Sequence, residues 1–343
     1  MDLLSGEPAR ALLVDPGFVA RWRALWEECG SGVFRSPDFV QAAISAEPGA
    51  PVVLTESKDQ NLLGLWVLAP QGAGVLGPPG GAETLRQGWL ASPLDGGFFI
   101  ERAVMALVRA GLGPEIRLHR LPPGLPLDWA RSSREVGRVS RVSTPNAAFV
   151  GLDAERAKKP IDDKLHAPQL AAWKALGKVS LELNPSDAAD WIGTAAEWHD
   201  QRCHDQGLAL RYQAEPRRID LLRRVAGGPL QVQVLRAGGQ VVSVQAFYIY
   251  GKEALLALAA ERPTLEPIAP GLIHWSLLEP WLLSLGVTEV DVTAGPTWLG
   301  LLSTRRAQLE SVTIYGRRWD RVRGDAQQAL VSLSRWALSR LEG

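Results

Sequence analysis

The chain has 343 residues, 46% hydrophobic and 22% charged, with 37 Lys and Arg set against 37 Asp and Glu. This length exceeds what one compact core ordinarily fills and predicts two domains. Charge balance removes any global argument for nucleic acid or an anionic membrane. No uncharged apolar run is long enough to span a bilayer, since 271–287 is broken by His274, Glu279 and Pro280.

In chain order, Asp15 and Pro16 predict the cap and first turn of a helix over 16–29, with Phe18, Trp22, Leu25 and Trp26 on one face. Residues 30–32 stop it, and Ser36-Pro37-Asp38 opens a second helix through Ile44. Strands are predicted over 51–56 and 62–69 about a polar turn, followed by a Gly/Pro-rich loop over 71–82. A helix over 98–110 and a strand over 115–121 follow, and the Pro-rich 122–126 leaves the first core. Arg131, Arg134, Arg138 and Arg141, with a single Glu, mark 131–144 as an exposed linker. Beyond it come helical spacing over 162–178, a strand over 178–184 and a long helix over 186–207. On that helix Trp191, Ala195, Trp198 and Cys203 lie toward one side.

The stretch 230–285 carries the most information. Strands over 230–236, 240–250 and 254–260 form a meander with tight turns, and the polar loop 262–269 delivers the chain to Pro270-Gly271 and an amphipathic helix over 272–285. A strand edge can pair with an amide-bearing arm, and the free N–H groups of a helix start can hold a phosphate. A strand over 288–293, another over 309–315 and a helix over 327–341 complete the chain. Helices, meander, helix and strand thus recur in similar order in the two halves, as in a duplicated fold. The thirteen Trp residues fall mostly on apolar faces and are expected in the cores.

Cys29 and Cys203 are the only cysteines, which is no disulfide framework. Residues 1–16 carry Asp2, Glu7 and Asp15 and lack the basic-then-apolar pattern of a secretory signal, so a cytoplasmic location is expected. His199 and Cys203 lie four apart, as do Asp200 and His204. The two pairs face directions about 100° apart on a helix, which disfavours one tetrahedral ion, and no metal is expected. Walker-type, nucleophile-elbow and dinucleotide-binding signatures are absent.

Several short segments occur in a telling order: Phe34-Arg35-Ser36-Pro37, KLHAPQLAAWKALG at 164–177, EWHDQRCHDQG at 197–207, Gly239-Gln240-Val241-Val242-Ser243, Ala269-Pro270-Gly271-Leu272-Ile273 and GVTEVDVTAG at 286–295. Together they resemble the acetyltransferase-like family associated with bacterial cellulose and exopolysaccharide synthesis, within the GNAT superfamily, whose structural relatives are the Fem-type aminoacyl transferases. The chain departs from that pattern at Pro296-Thr297-Trp298-Leu299-Gly300, where the family has an acidic residue and then Tyr-Lys. It also departs at Arg262, Leu265 and Trp173, where the family favours Asp, Tyr and Arg. The resemblance implies an α+β fold of tandem GNAT-like domains, 1–150 and 151–343. Each would have a mixed, mostly antiparallel central sheet flanked by helices, and the second would bind the acyl donor.

The implied activity is an acyl-CoA-dependent N-acyltransferase, with acetyl-CoA as co-substrate and a small amine as acceptor, in envelope or polysaccharide metabolism. Two alternatives stand beside it. One is a Fem-type aminoacyl-tRNA-dependent transferase, with tRNA held near Arg305, Arg306, Arg317, Arg318, Arg321 and Arg323. The other is a non-catalytic binding or scaffold protein, to which the missing Tyr-Lys points. Acyl transfer needs a grip on the donor, a proton acceptor and polarisation of the carbonyl. The grip is expected from the backbone at 257–261, including Ala259 and Ala260, and from Pro270, Gly271, Leu272 and Ile273, with Arg262 as a phosphate contact. Gly271 leaves room for close approach. Glu261, His274 and Asp291 are candidate proton acceptors, with strand-end position favouring Glu261 and Asp291. Tyr248 and Tyr250 share a face of the middle strand, and Tyr248 is the candidate hydroxyl.

Overall fold

The computed structural model describes residues 1–30, 32–93, 98–158, 171, 173–268, 270–317 and 320. Seven strands of the first half are β1 (Asp2–Ser5), β2 (Val52–Lys58), β3 (Asn61–Pro70), β4 (Val75–Gly77), β5 (Leu90–Ala91), β6 (Glu115–Leu118) and β7 (Ser140–Ser143). They are followed by β8 (Asn146–Gly151), β9 (Val179–Leu183), β10 (Leu230–Ala237), β11 (Gln240–Tyr250), β12 (Glu253–Glu261), β13 (Glu289–Asp291), β14 (Arg305–Gln308) and β15 (Ser311–Tyr315).

These strands form two sheets with one plan. The first runs β1-β2-β3-β4-β6-β15-β7, with β5 attached to β3, and the second runs β9-β10-β11-β12-β13-β8-β14. Each has four antiparallel strands, then a parallel pair (β4 with β6, β12 with β13), then two further antiparallel strands. The sixth place in each sheet is filled from the other half of the chain. β15 enters the first sheet with Val312 opposite Leu118 and Ile314 opposite Ile116, and β8 enters the second with Val150 opposite Val290. This reciprocal exchange crosses the divide expected at residue 150. The chain folds as two GNAT-like domains in tandem, each a mixed sheet flanked by helices.

Three apolar layers follow from this plan. Helix Phe99–Ala110 packs on one face of the first sheet through Phe99, Ala103, Val104 and Leu107. Helix Pro270–Ser284 packs on one face of the second through Trp275, Leu278 and Leu282. Between the sheets a common core joins helices Pro16–Glu28 and Pro37–Ala46 to helices Ala188–Asp205 and Arg217–Val225, with Trp22, Phe34 and Phe39 meeting Ile192, Leu222 and Tyr248 in one cluster. Burial of this much apolar surface makes the halves interdependent.

The early helices follow their sequence signals closely. Asp15 Oδ1 accepts from the Phe18 N–H at 2.7 Å and Ser36 Oγ from the Phe39 N–H at 3.3 Å. Four expectations need correction. The 71–82 loop contains β4, an apolar triplet recruited by parallel pairing to β6. The 131–144 linker contains the end of helix Asp128–Ser132 and strand β7, which pairs with β15; Arg131, Arg134 and Arg138 are exposed as expected, but on structured chain. The sequence predicts no strand at β8 or β14, and the structure adds both, because their identity depends on partners far along the chain. The strand expected over 309–315 exists as β15, but in the first sheet. The closing helix over 327–341, most of 162–178, and Arg318, Arg321 and Arg323 lie outside the described residues.

Candidate functional site

β12 and β13 form a fork. Their parallel pairing covers Glu253–Leu255 against Glu289–Asp291, whereas β12 continues to Glu261 and stays paired with β11 as far as Ser243 opposite Glu261. Among the described residues, no strand pairs with Leu256–Ala260 on the β13 side. At the crotch, β12 bulges: Phe247 opposes Leu256 and Ala246 opposes Leu258, which leaves Ala257 unmatched. A bulge re-aims backbone groups and commonly borders a site. At the open end stands the start of helix Pro270–Ser284. Pro270 supplies a fixed φ without a wasted donor, and the first-turn N–H groups that follow have no partner within the helix.

The structure brings Glu261, Gly271 and Trp298 together at this open end. Glu261 Oε1 accepts from the Trp298 indole N–H at 2.9 Å. A Cβ built on Gly271 would collide with that same carboxylate oxygen and with the Trp298 ring, so both side chains lie directly on the glycine backbone. Trp298 stands where the resembled family carries its Tyr-Lys; in this chain the position closes the fork. Ala259 and Ala260 are buried within β12. Arg262 donates to Gln240 Oε1 at 2.7 Å and lies over the Trp198 ring with its guanidinium carbon 5.8 Å from the centroid. Beneath the helix start, Gln245 Nε2 donates to the Gly271 carbonyl at 3.3 Å.

Asp291 lies at the crotch, beside the bulge. One carboxylate oxygen accepts from the Thr293 N–H at 2.9 Å and the Thr293 hydroxyl at 2.5 Å; the other receives Arg86 at 2.6 Å. Arg86 belongs to the first half and is buried, and its second terminal nitrogen pairs with Glu253. Burial pushes the Glu253 carboxyl up, against the pull of Arg86. Sequence reasoning missed Arg86 altogether: it is one loop arginine, and its partner is 205 residues away.

The remaining candidates occupy other surroundings. Tyr248 is wholly buried between the halves, with ring centroids 4.7 Å from Phe34 and 5.8 Å from Phe39 and an unpartnered hydroxyl. Burial drives its pKa well above that of a free phenol. His274 is also wholly buried; its Nδ1 lies 2.9 Å from Ser243 Oγ, and burial lowers its pKa to about 3. Asp200 accepts from the backbone N–H groups of Tyr212 and Gln213 and tethers the chain after the long helix, with His199 Nδ1 at 3.2 Å and Cys203 Sγ 3.7 Å from that imidazole. Among the described residues, no group of three His, Cys, Asp or Glu side chains is placed to hold a metal. Likewise no described helix is long and apolar enough to cross a membrane. In the basic region, Arg305 is paired twice with Glu289, at 2.8 and 2.6 Å, and stacks on Phe149.

Residues 169–297, which contain the whole fork, match the family model described as acetyltransferase (GNAT) domain. No curated protein matches the chain. Among solved structures, it is similar to the C-terminal domain of a putative lysylphosphatidylglycerol synthetase from Agrobacterium fabrum, at 14% identity and TM-score 0.55, covering 92% of this chain and 95% of that one. FemX aligns at 8% identity and TM-score 0.55, covering 89% and 98%. A tandem GNAT protein from the clavulanic acid biosynthesis pathway aligns at 15% identity and TM-score 0.50, covering 92% and 99%. At such identities the likeness is one of fold.

Proposed function

We propose that the protein is an N-acyltransferase of the GNAT type that takes its acyl group from acyl-CoA and passes it to a small amine, the second half holding the donor. The observation that carries this reading is the fork itself: β12 runs on through Leu256–Ala260 past its last pair with β13, with no further strand paired there among the described residues, a bulge at one end and a helix start at the other. An extended amide-bearing arm adds to such an edge by main-chain hydrogen bonding, past Ala259 and Ala260. The N–H groups of Gly271, Leu272 and Ile273, following Pro270, receive a phosphate, with Arg262 at the rim. The Ala257 bulge lies where a backbone amide can polarise the acyl carbonyl.

Of the candidate proton acceptors, Asp291 lies nearest the bulge and is oriented by Arg86 and Thr293. Glu261 lies against the helix start, where its charge would repel a phosphate, so it acts with Trp298 as a gate that swings aside. The Tyr248 hydroxyl, enclosed between the halves, is assigned to packing rather than proton transfer. Arg305 is neutralised by Glu289, which leaves a tRNA donor without an observation of its own.

Calorimetric titration with acetyl-CoA tests the donor assignment. Trp298→Ala is expected to bind at least several-fold tighter than the unsubstituted protein. Absence of binding to both at millimolar acetyl-CoA refutes the assignment. A second reading, a binding protein without turnover, is favoured by Trp298 over Gly271 and by the full engagement of Asp291. Turnover with an acyl donor that Asp291→Asn abolishes eliminates that second reading.

A further inference from the structure

A cavity of about 560 Å³ opens where the two halves meet, within the roughly 300–1,000 Å³ of ordinary small-molecule sites. It lies on the side of β12 opposite helix Pro270–Ser284, and Arg86, the partner of Asp291 at the crotch of the fork, is among its lining residues. Glu253 and Leu255 reach it from one face of β12, and Leu255 belongs to the core between the sheets; Leu256 and Ala259 face the opposite side, against helix Pro270–Ser284. Its walls are largely apolar, built from Phe34, Trp89, Ile100 and the Pro-rich 122–126 segment, with Tyr250 at one side. The segment read from sequence as merely leaving the core is therefore one wall of this cavity.

Two guanidinium groups line the cavity, and they differ. Arg86 is bound to Asp291 and Glu253. Arg35 has no carboxylate within ion-pairing distance among the described residues. One of its terminal nitrogens donates to the Trp89 carbonyl at 3.2 Å, and its Nε is buried with no acceptor. Burial lowers its pKa to about 10, which leaves it fully charged at neutral pH. A cation held this way, without a counter-charge, destabilises the fold unless something else answers it.

We infer that this cavity binds a small, largely apolar molecule with a single anionic head group, which Arg35 receives against the Trp89 wall. One unanswered cation sets the charge of the ligand, and the apolar walls set its body. A planar guanidinium with unused donors matches a carboxylate or a phosphate oxygen pair. The head-group position at Arg35 is tested apart from the acyl-donor assignment, because the helix start at Gly271 lies on the opposite face of β12 and the cavity meets the fork only at the crotch, through Arg86 and Glu253–Leu255.

The test is calorimetric titration of the full chain with 3-phenylpropionate, phenyl phosphate and the neutral 3-phenylpropan-1-ol, alongside thermal melts. At least one anion is expected to bind tenfold or more tighter than the alcohol, and the tighter of the two identifies the head group. Arg35→Gln should abolish that preference while melting at or above the temperature of the unsubstituted protein, since it removes a charge that nothing answers. Arg35→Lys should keep the preference in weakened form, and Leu125→Trp, filling the cavity from the opposite wall, should reduce binding of all three compounds. Equal binding of anions and alcohol overturns the inference, as does an anion preference that survives Arg35→Gln or a clear drop in melting temperature for that variant. Acetyl-CoA titrated into the same preparations should be indifferent to Arg35→Gln, so failure here and failure of the donor assignment are read separately.

Discussion

The two sheets share one strand plan but differ at the parallel pair. In the first, β4 is three residues long; Leu76 opposite Ile116 is the last pair with β6, and the chain turns away one residue later into Pro78-Pro79-Gly80. In the second, β12 runs on for residues 256–261 beyond its last pair with β13. Among the described residues, it is the second half in which a strand runs past its parallel partner toward a helix start. The cause is local. Proline cannot donate to a ladder and ends β4, whereas the ALLALAA run of β12 is apolar, small and uninterrupted. One plan thus yields a half whose parallel pair stops at proline and a half whose strand runs on past its partner.

That comparison breaks most severely if the strand exchange is removed. Ile314 is fully buried in β15, and Ile314→Asp places an unpaired charge within the first sheet. A loss above about 4 kcal/mol is expected, enough to abolish soluble folding at modest temperature. Because the halves share a core, calorimetry of milder variants such as Ile314→Val should show one transition rather than two. Separate melting of the halves would show that the exchange is incidental.

Next in size is the ion-paired arginine that bridges the sheets. Arg86→Met strands the buried carboxylate of Asp291 and the half-buried one of Glu253 and should cost about 3–5 kcal/mol in urea unfolding. Adding Asp291→Asn and Glu253→Gln should recover much of that loss. If the triple variant is no more stable than Arg86→Met alone, the penalty lies in lost packing.

The fork is sharpened by Gly271→Ala, whose methyl group would meet Glu261 and Trp298 and should destabilise by about 1–3 kcal/mol. Adding Trp298→Ala should relieve most of it, because the obstacle is a side chain that can be removed. The corresponding change at Gly64 in the first half meets the Phe99 ring at the start of the buried helix, so no such rescue is expected there without a core cavity. Equal rescue in both halves would mean that Trp298 is core rather than gate.

The smallest effect is pH-dependent. His274 has a pKa near 3 in the fold, below the roughly 6.5 of an exposed imidazole, so the unfolded chain takes up that proton first. Its contribution is complete above pH 6.5 and is lost as pH falls toward 3, with a slope approaching about 1.4 kcal/mol per pH unit. Asp200 adds loss at the acid end of that window: burial raises its pKa, but the Gln213 and Tyr212 N–H groups and His199 together leave it lowered. Urea midpoints between pH 5 and 7 for His274→Leu should show a flatter dependence than the unsubstituted protein.

Much of the fold was legible in local chemistry. Asp15 and Ser36 are caps by residue type, the β10-β11-β12 meander follows from turn glycines and β-branched alternation, and Pro270-Gly271 announces a helix start because proline fixes φ where no donor is needed. The strand end and the helix start that follows it were visible for the same reason, since they are consecutive in the chain. Trp298 was legible only as a departure from a resembled pattern. Its contact with Glu261 spans 37 residues, and nothing between the two positions encodes it.

The chain by itself thus determined the capped helices, the central meander and the segment that feeds the fork, because these depend on periodicity, capping and turn residues close in sequence. The tertiary structure alone decided that β8 and β15 change places, that Arg86 answers Asp291 and Glu253, and that Arg35 faces a cavity with no carboxylate in ion-pairing distance among the described residues. Those outcomes depend on which distant groups burial brings within a few ångströms of one another, and on which charges it leaves unpaired.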